Sequence, residues 1–271
     1  MVLLAMEETI INKEKPYIKL SIQVSLNGLS FCTLDQTSST ILFYKRVVFE
    51  KQLEPTKVLE QIEQEYEQEK DLSLQVDEVK ILFNNALFSL VPQEYFNEKN
   101  VSSYLKFNAK ILKTDVIAFD KLEQTQIANI YIPYTNITNY FFEKYGEFEY
   151  QHSLSVLIEG LYSISDNSNT SKVYLHAHQN FYELVIFQNQ NLLLANSFEY
   201  TSKEDFLYYL LFTIEQLNLD TLKLELILLG DITKYSPEYE IAWEYIKNIS
   251  FLGPFHSFTD AMNKLPEDHR Q

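Results

Sequence analysis

The chain is poor in the residues that usually announce a site or staple a small fold. It has one cysteine, Cys32, so it can form no internal disulfide and carries no paired-cysteine metal motif. Five glycines and seven prolines among 271 residues exclude collagen-like and low-complexity chains. No apolar run approaches the roughly 18 residues needed to span a bilayer, so membrane insertion is not expected. Positive charge is scarce: 22 Lys and Arg face 38 Asp and Glu, leaving a net charge of −16. A surface of that sign repels phosphate backbones and anionic lipid, which removes nucleic acid from the expected partners. His-Glu-x-x-His, Gly-x-Ser-x-Gly and Walker-type glycine loops are also missing, and with them the mechanisms those motifs serve.

What the chain does have is apolar and aromatic material. Hydrophobic residues make up 46%, and 19 Tyr with 19 Phe dominate the aromatic share. That suffices for one large core or two small ones. The opening stretch Met1-Val2-Leu3-Leu4-Ala5-Met6 has no basic leader and meets Glu7-Glu8 at once, too short and wrongly flanked for a secretory signal. Together with the single thiol, it points to the reducing cytoplasm. Cys32 lies in a β-like run and reads as a buried, inert thiol.

Hydrophobic periodicity organises the rest. Ile18, Leu20, Ile22 and Val24 alternate with polar residues and predict a half-buried strand. Asn27-Gly28 is a turn pair suited to positive φ, and strands over 29–34 and 41–49 complete a three-stranded meander. Val58, Leu59, Ile62 and Tyr66 then line one side of a helix, with Glu60, Glu63, Glu65, Glu67 and Glu69 read as its solvated face. A buried strand at 79–83 follows, and Pro92 is placed in the first turn of a helix reaching Tyr104. The second half repeats the order: a hairpin around Gln179-Asn180, a third strand over 192–200, a helix over 203–217, a buried strand at 224–229, and a helix opened by Pro237 and running to about Lys247. Matching turns in the two halves are offset by about 150 residues. Strands near 115–119, 127–132 and 147–151, with helices near 136–144 and 154–163, fill the middle. The expected division is an N-terminal lobe over 1–165 with a small inserted segment near 105–135, a linker at 166–171, and a C-terminal lobe over 172–271.

A duplicated unit of three strands, helix, strand and helix resembles the actin, Hsp70 and sugar-kinase superfamily. The resemblance implies an α/β, duplicated ribonuclease-H-like (actin-like ATPase) fold, with two lobes whose mixed sheets each open in a three-stranded meander. The run Ile81-Leu82-Phe83-Asn84-Asn85-Ala86-Leu87-Phe88-Ser89-Leu90-Val91-Pro92 is similar to that of an uncharacterised bacterial (Bacteroidetes) family of actin-like proteins of unknown function. In the superfamily two glycine-rich hairpins, each usually beginning with an Asp that organises Mg²⁺, present backbone N–H groups to phosphates. Here they read Gln23-Val24-Ser25-Leu26-Asn27-Gly28 and His176-Ala177-His178-Gln179-Asn180-Phe181, without the acid and with one glycine between them. Leu229-Gly230-Asp231 keeps one glycine of the pair expected against adenosine. The reading is therefore a degenerate, non-catalytic pseudo-ATPase with no cofactor and no catalytic residue. The alternative is a divergent ATPase or small-molecule kinase that binds ATP with Mg²⁺ through Asn27, Gly28, Gln179, Asn180, Gly230 and Asp231.

Three further groups stand out. His176 and His178 share one side of a strand, as two metal ligands can, but the adjoining turn offers only Gln179 and Asn180; no metal site is assigned. Asp35 and Asp120 close strand-like runs and read as structural. The helix over 203–217 is apolar on more than one side: Phe206, Leu210, Ile214 and Leu217 form a core stripe, while Tyr208, Tyr209 and Phe212 lie off it. Either another element, such as residues 251–262, covers these rings, or they form an interface with a protein partner or a second copy of the chain. A protein-binding or scaffold module is the function expected, by analogy with superfamily members that act as assembly platforms in pilus and secretion machines.

Overall fold

The computed structural model describes residues 15–253, apart from 107, 109, 110 and 113. The opening apolar stretch and positions 254–262 of the covering element expected over 251–262 lie outside the described residues.

Two five-stranded sheets carry the same connectivity. The first contains β1 (Ile18–Val24), β2 (Gly28–Asp35), β3 (Thr40–Val48), β4 (Glu78–Phe83) and β8 (Glu149–His152), in the order β3-β2-β1-β4-β8. The second contains β9 (Lys172–Ala177), β10 (Phe181–Gln188), β11 (Asn191–Glu199), β12 (Glu225–Gly230) and β13 (Ile249–Phe251), in the order β11-β10-β9-β12-β13. In each, an antiparallel meander is extended by two parallel strands. Helix α1 (Pro55–Gln68) of the first half matches α5 (Lys203–Gln216) of the second, each joining the meander to the fourth strand. The duplication is therefore real at the level of strand order and pairing.

The second helix of the first half is not where Pro92 predicts it. Phe88–Pro92 is a strand, β5, at the edge of a separate antiparallel sheet with β6 (Ala118–Leu122) and β7 (Ile127–Tyr131). Pro92 has φ −53° and ψ 136° and closes the strand. It can do so because an edge strand's end tolerates a missing N–H. Two single 3-10 turns, Gln93–Tyr95 and Glu98–Asn100, and a short helix, α2 (Val101–Leu105), follow over the span expected to be one helix. The counterpart of α6 (Pro237–Trp243) is instead α3 (Thr135–Tyr145), after which β8 and α4 (Ser153–Ile164) complete the half.

Alternation builds the core as read: Leu20, Ile22 and Val24 of β1 are buried, as are Val58, Ile62 and Tyr66 of α1. Glu65 departs from the solvated face assigned to it. It is buried, and Lys45 Nζ reaches it at 2.7 Å. Strand β10 is buried on both sides. Tyr182, Leu184 and Ile186 pack with α5 and α6, whereas Val185 and Phe187 join Leu154, Ile158 and Leu161 of α4.

Candidate functional site

The ends of β1, β9 and β12 meet at a cleft between the two large sheets. Asn27, Gly28, Gln179, Asn180, Gly230 and Asp231, widely separated in sequence, all line this one space of about 230 Å³. Gly28 and Gly230 are there for different reasons. Gly28 does not have positive φ, contrary to the turn reading; a Cβ on it would sit 2.5 Å from the Val47 carbonyl oxygen of β3. Gly230 does have positive φ, 83°, and a Cβ there would lie 2.3 Å from the Ala177 carbonyl oxygen. That conformation turns the chain out of β12, so that Asp231 N–H donates to Ala177 O at 2.8 Å and its carboxylate faces the cleft.

The cleft is spanned by its own side chains. Asn27 Nδ2 donates to Asn180 Oδ1 at 3.2 Å, linking the two hairpin tips. Arg46 of β3 forks onto Asp231, with Nη1 donating to Oδ1 at 2.6 Å and Nη2 to Oδ2. Burial raises the Asp231 carboxyl, but the Arg46 fork, together with His178 and His176 nearby, holds it below the ordinary carboxylate range. Backbone donors are also engaged: Asn27 N–H donates to Ser25 Oγ at 3.2 Å, and His178 N–H to Phe181 O at 2.9 Å. An incoming phosphate would have to compete with these bonds.

Behind the second hairpin lies a group the sequence reading missed. Glu183 of β10 stands opposite His176 of β9, and its Oε2 is 2.9 Å from His176 Nδ1 and 3.2 Å from His178 Nε2. The residue is 2% exposed. Burial pushes its carboxyl up, but hydrogen bonds from the two imidazoles outweigh this and hold it well below its usual range. Burial, with the charge of His176 beside it, pushes His178 down. The signal was available in the turn: closing a hairpin on Gln179-Asn180 places residue 183 across from residue 176.

The other expected site residues lie elsewhere. On α5, Tyr208 is 61% exposed, Phe212 46% and Tyr209 36%. Tyr208 stacks on Phe212 with ring centroids 5.9 Å apart, and Tyr209 stacks on Phe198 of β11. Tyr208 and Phe212 line a groove with Leu207, Leu211, Ile241 and Tyr245, between α5 and α6. Tyr245 lies just past the end of α6, where the helix expected to reach Lys247 has already given way to a turn. Asp35 caps the turn before β3, and Asp120 is buried, accepting from His152 N–H at 2.9 Å and Tyr131 Oη at 3.2 Å. Both carboxylates are held by hydrogen bonds within the fold. Burial raises the Cys32 thiol, as an inert cysteine requires.

Comparison with known proteins places this architecture. A crystal structure of a Bacteroides thetaiotaomicron protein with actin-like ATPase fold and unknown function is similar over 93% of this chain and 97% of its own, with 22% identity and a TM-score of 0.79. PilM–PilN, a type IV pilus biogenesis complex, contains a chain similar over 89% of both chains, with 12% identity and a TM-score of 0.53. At these identities the likeness is one of fold: the chain has the actin-like ATPase fold. No curated protein matches in sequence. The model of the family described as protein of unknown function (DUF3822) matches residues 7–249, and the chain belongs to that family.

Proposed function

We propose that the protein is a non-catalytic, cytoplasmic actin-like module that binds another protein through α5 and α6, its nucleotide cleft having become a structural joint. In this reading residues 1–165 and 172–271 act as lobes joined at 166–171, with no cofactor between them. The observation that carries it is a contrast: the cleft is spanned by Asn27–Asn180 and Arg46–Asp231, while the aromatic groove on α5 and α6 is left open by the described residues. A soluble protein seldom keeps stacked Tyr and Phe in water without use. Glu204 and Glu215 also line that groove, and the chain's charge of −16 disfavours pairing with itself. The partner is therefore a protein segment that is apolar and basic. PilM, which shares the fold, is recorded in a complex with PilN, and this supports assembly as a use of such a scaffold. Among the described residues no helix is long and apolar enough to cross a membrane.

The test has two arms. Tyr208→Ser combined with Phe212→Ser should abolish capture of a partner whose cross-links map to α5 and α6, with the melting temperature held within a few degrees. Loss of folding without loss of capture would return those rings to the core. In the second arm, Mg-ATP should leave the melting curve unmoved, whereas ligand at 100 times its dissociation constant would add about 2.7 kcal/mol. A shift removed by Asp231→Ala would favour the second reading, a divergent ATPase or kinase, for which the convergence of all six cleft residues speaks.

A further inference from the structure

We propose that His176, His178 and Glu183 form a binding site for one divalent transition-metal ion, zinc by its donor set, at the joint between the two large sheets. The proposal goes beyond the protein-binding role and does not depend on it. Strand geometry assembles the site. His176 and Glu183 are direct cross-strand partners on β9 and β10, and His178 lies two residues beyond His176, hence on the same side of the ribbon. Their donor atoms, two imidazole nitrogens and one carboxylate oxygen, all lie within 4.8 Å of one another.

Tetrahedral zinc holds such donors at about 2.0–2.2 Å, which sets them roughly 3.3–3.5 Å apart. The two carboxylate separations, 2.9 and 3.2 Å, are already close to this. Two imidazoles and a carboxylate match the preference of zinc among biological divalent ions, and three protein ligands leave a fourth position for water. Around them the scaffold is stiff. Phe181 stacks on His178 with centroids 4.1 Å apart and planes 10° apart, which fixes that ring. Glu183 is anchored in a strand buried on both sides, while His176 and His178 line the cleft and give an ion its path in. Asp231, on the same wall, is oriented and charge-balanced by Arg46, which leaves the two histidines and Glu183 as the donor set.

The experiment uses the full chain, stripped with EDTA and dialysed. Titration with Zn²⁺, followed by calorimetry, should show one equivalent bound, and Co²⁺ should give the intense visible bands of a tetrahedral site. His176→Ala and His178→Ala should each weaken Zn²⁺ binding about 100-fold or more, since loss of an outer-shell partner alone weakens metal sites 10–100-fold. Both positions are partly open to the cleft, so the variants are expected to fold, and circular dichroism checks that they do. Wild-type protein should also melt higher with Zn²⁺ than without, a rise the His176→Ala variant lacks. Absence of a stoichiometric Zn²⁺ complex in the wild type, or equal affinity in a His176→Ala/His178→Ala double variant, overturns the proposal and leaves the trio as a hydrogen-bonded cluster only.

Discussion

His152 is fully buried where β8 turns into α4, and both ring nitrogens are engaged as a neutral imidazole requires. Nδ1 accepts from Leu154 N–H at 3.1 Å, capping the helix, and Nε2 donates to Asn85 O at 3.0 Å. Phe88 and Tyr131 close over it, with ring centroids at 5.0 and 5.3 Å. A second proton would have to sit on Nδ1, facing the Leu154 N–H, in a fully buried site. Burial accordingly pushes the pKa down to about 4. The unfolded chain, with an ordinary imidazole, binds this proton at about pH 6.5 and the folded protein does not. Stability is thus fully present above pH 6.5 and falls as pH drops toward 4, by on the order of 3 kcal/mol from this group. Burial raises the neighbouring Asp120, which acts in the opposite sense in acid. Comparison with His152→Asn, which keeps a capping side chain, isolates the histidine. Urea midpoints measured at pH 7.5 and 5 should converge between the two proteins as pH falls; parallel midpoints would show that the ring takes its proton in the folded state.

Element by element, what could be read in advance was what repeats within a few residues. The alternation of Leu20, Ile22 and Val24 gives β1, and the spacing of Val58, Ile62 and Tyr66 gives α1; both are local consequences of period. Helix α5 was legible at its start as well. Ser202 Oγ accepts from Asp205 N–H at 3.1 Å, and the Asp205 carboxylate accepts from Thr201 Oγ1 at 2.7 Å, so each end of the first turn satisfies the other. Ser202→Ala should lower stability by about 1 kcal/mol, read as a lower urea midpoint at unchanged slope. An unchanged midpoint would mean that water caps the turn equally well. Elements that depend on distant partners were not legible. Pro92 reads locally as a helix start, but pairing with Ile127 makes it a strand end, and no window of sequence contains both. The three-residue strand β13 exists only because β12 offers it an edge. At the site, the cleft hairpins are legible because turn residues are conspicuous, whereas Glu183 is one of 38 acids and only the pairing of β10 with β9 sets it against His176. Gly28 was located but misread: its constraint is the Val47 carbonyl across the sheet, which a turn rule does not see.

At the scale of the molecule, the two halves share more than a cleft. The face of the second sheet turned away from α5 and α6 carries Tyr174, Val185, Phe187 and Leu229, and these are continuous with the core around Leu154, Ile158 and Leu161 of α4. Tyr162 of α4 meets Phe187 edge-on at 6.0 Å. A helix that belongs by sequence to the first half is thus the floor on which the second sheet rests. Full burial of such side chains contributes about 1.5–3 kcal/mol each, so the several rings and aliphatic groups of the apolar contact outweigh the two polar bridges at the cleft mouth, worth about 1 kcal/mol for Asn27–Asn180 and about 1.5–3 kcal/mol for Arg46–Asp231. The halves should therefore unfold together. Calorimetry should give a single transition whose calorimetric and van't Hoff enthalpies agree, and hydrogen exchange should release β4 and β12 at the same denaturant concentration. Phe187→Ala removes the ring at the centre of this contact and should destabilise by about 3–5 kcal/mol, lowering protection in both sheets. Asn27→Ala, which breaks only the bridge between hairpin tips, should change the midpoint by less than about 1 kcal/mol. Two separate transitions in the wild type, or a Phe187→Ala effect confined to the second sheet, would mean that α4 is a hinge between independent lobes instead of a shared wall.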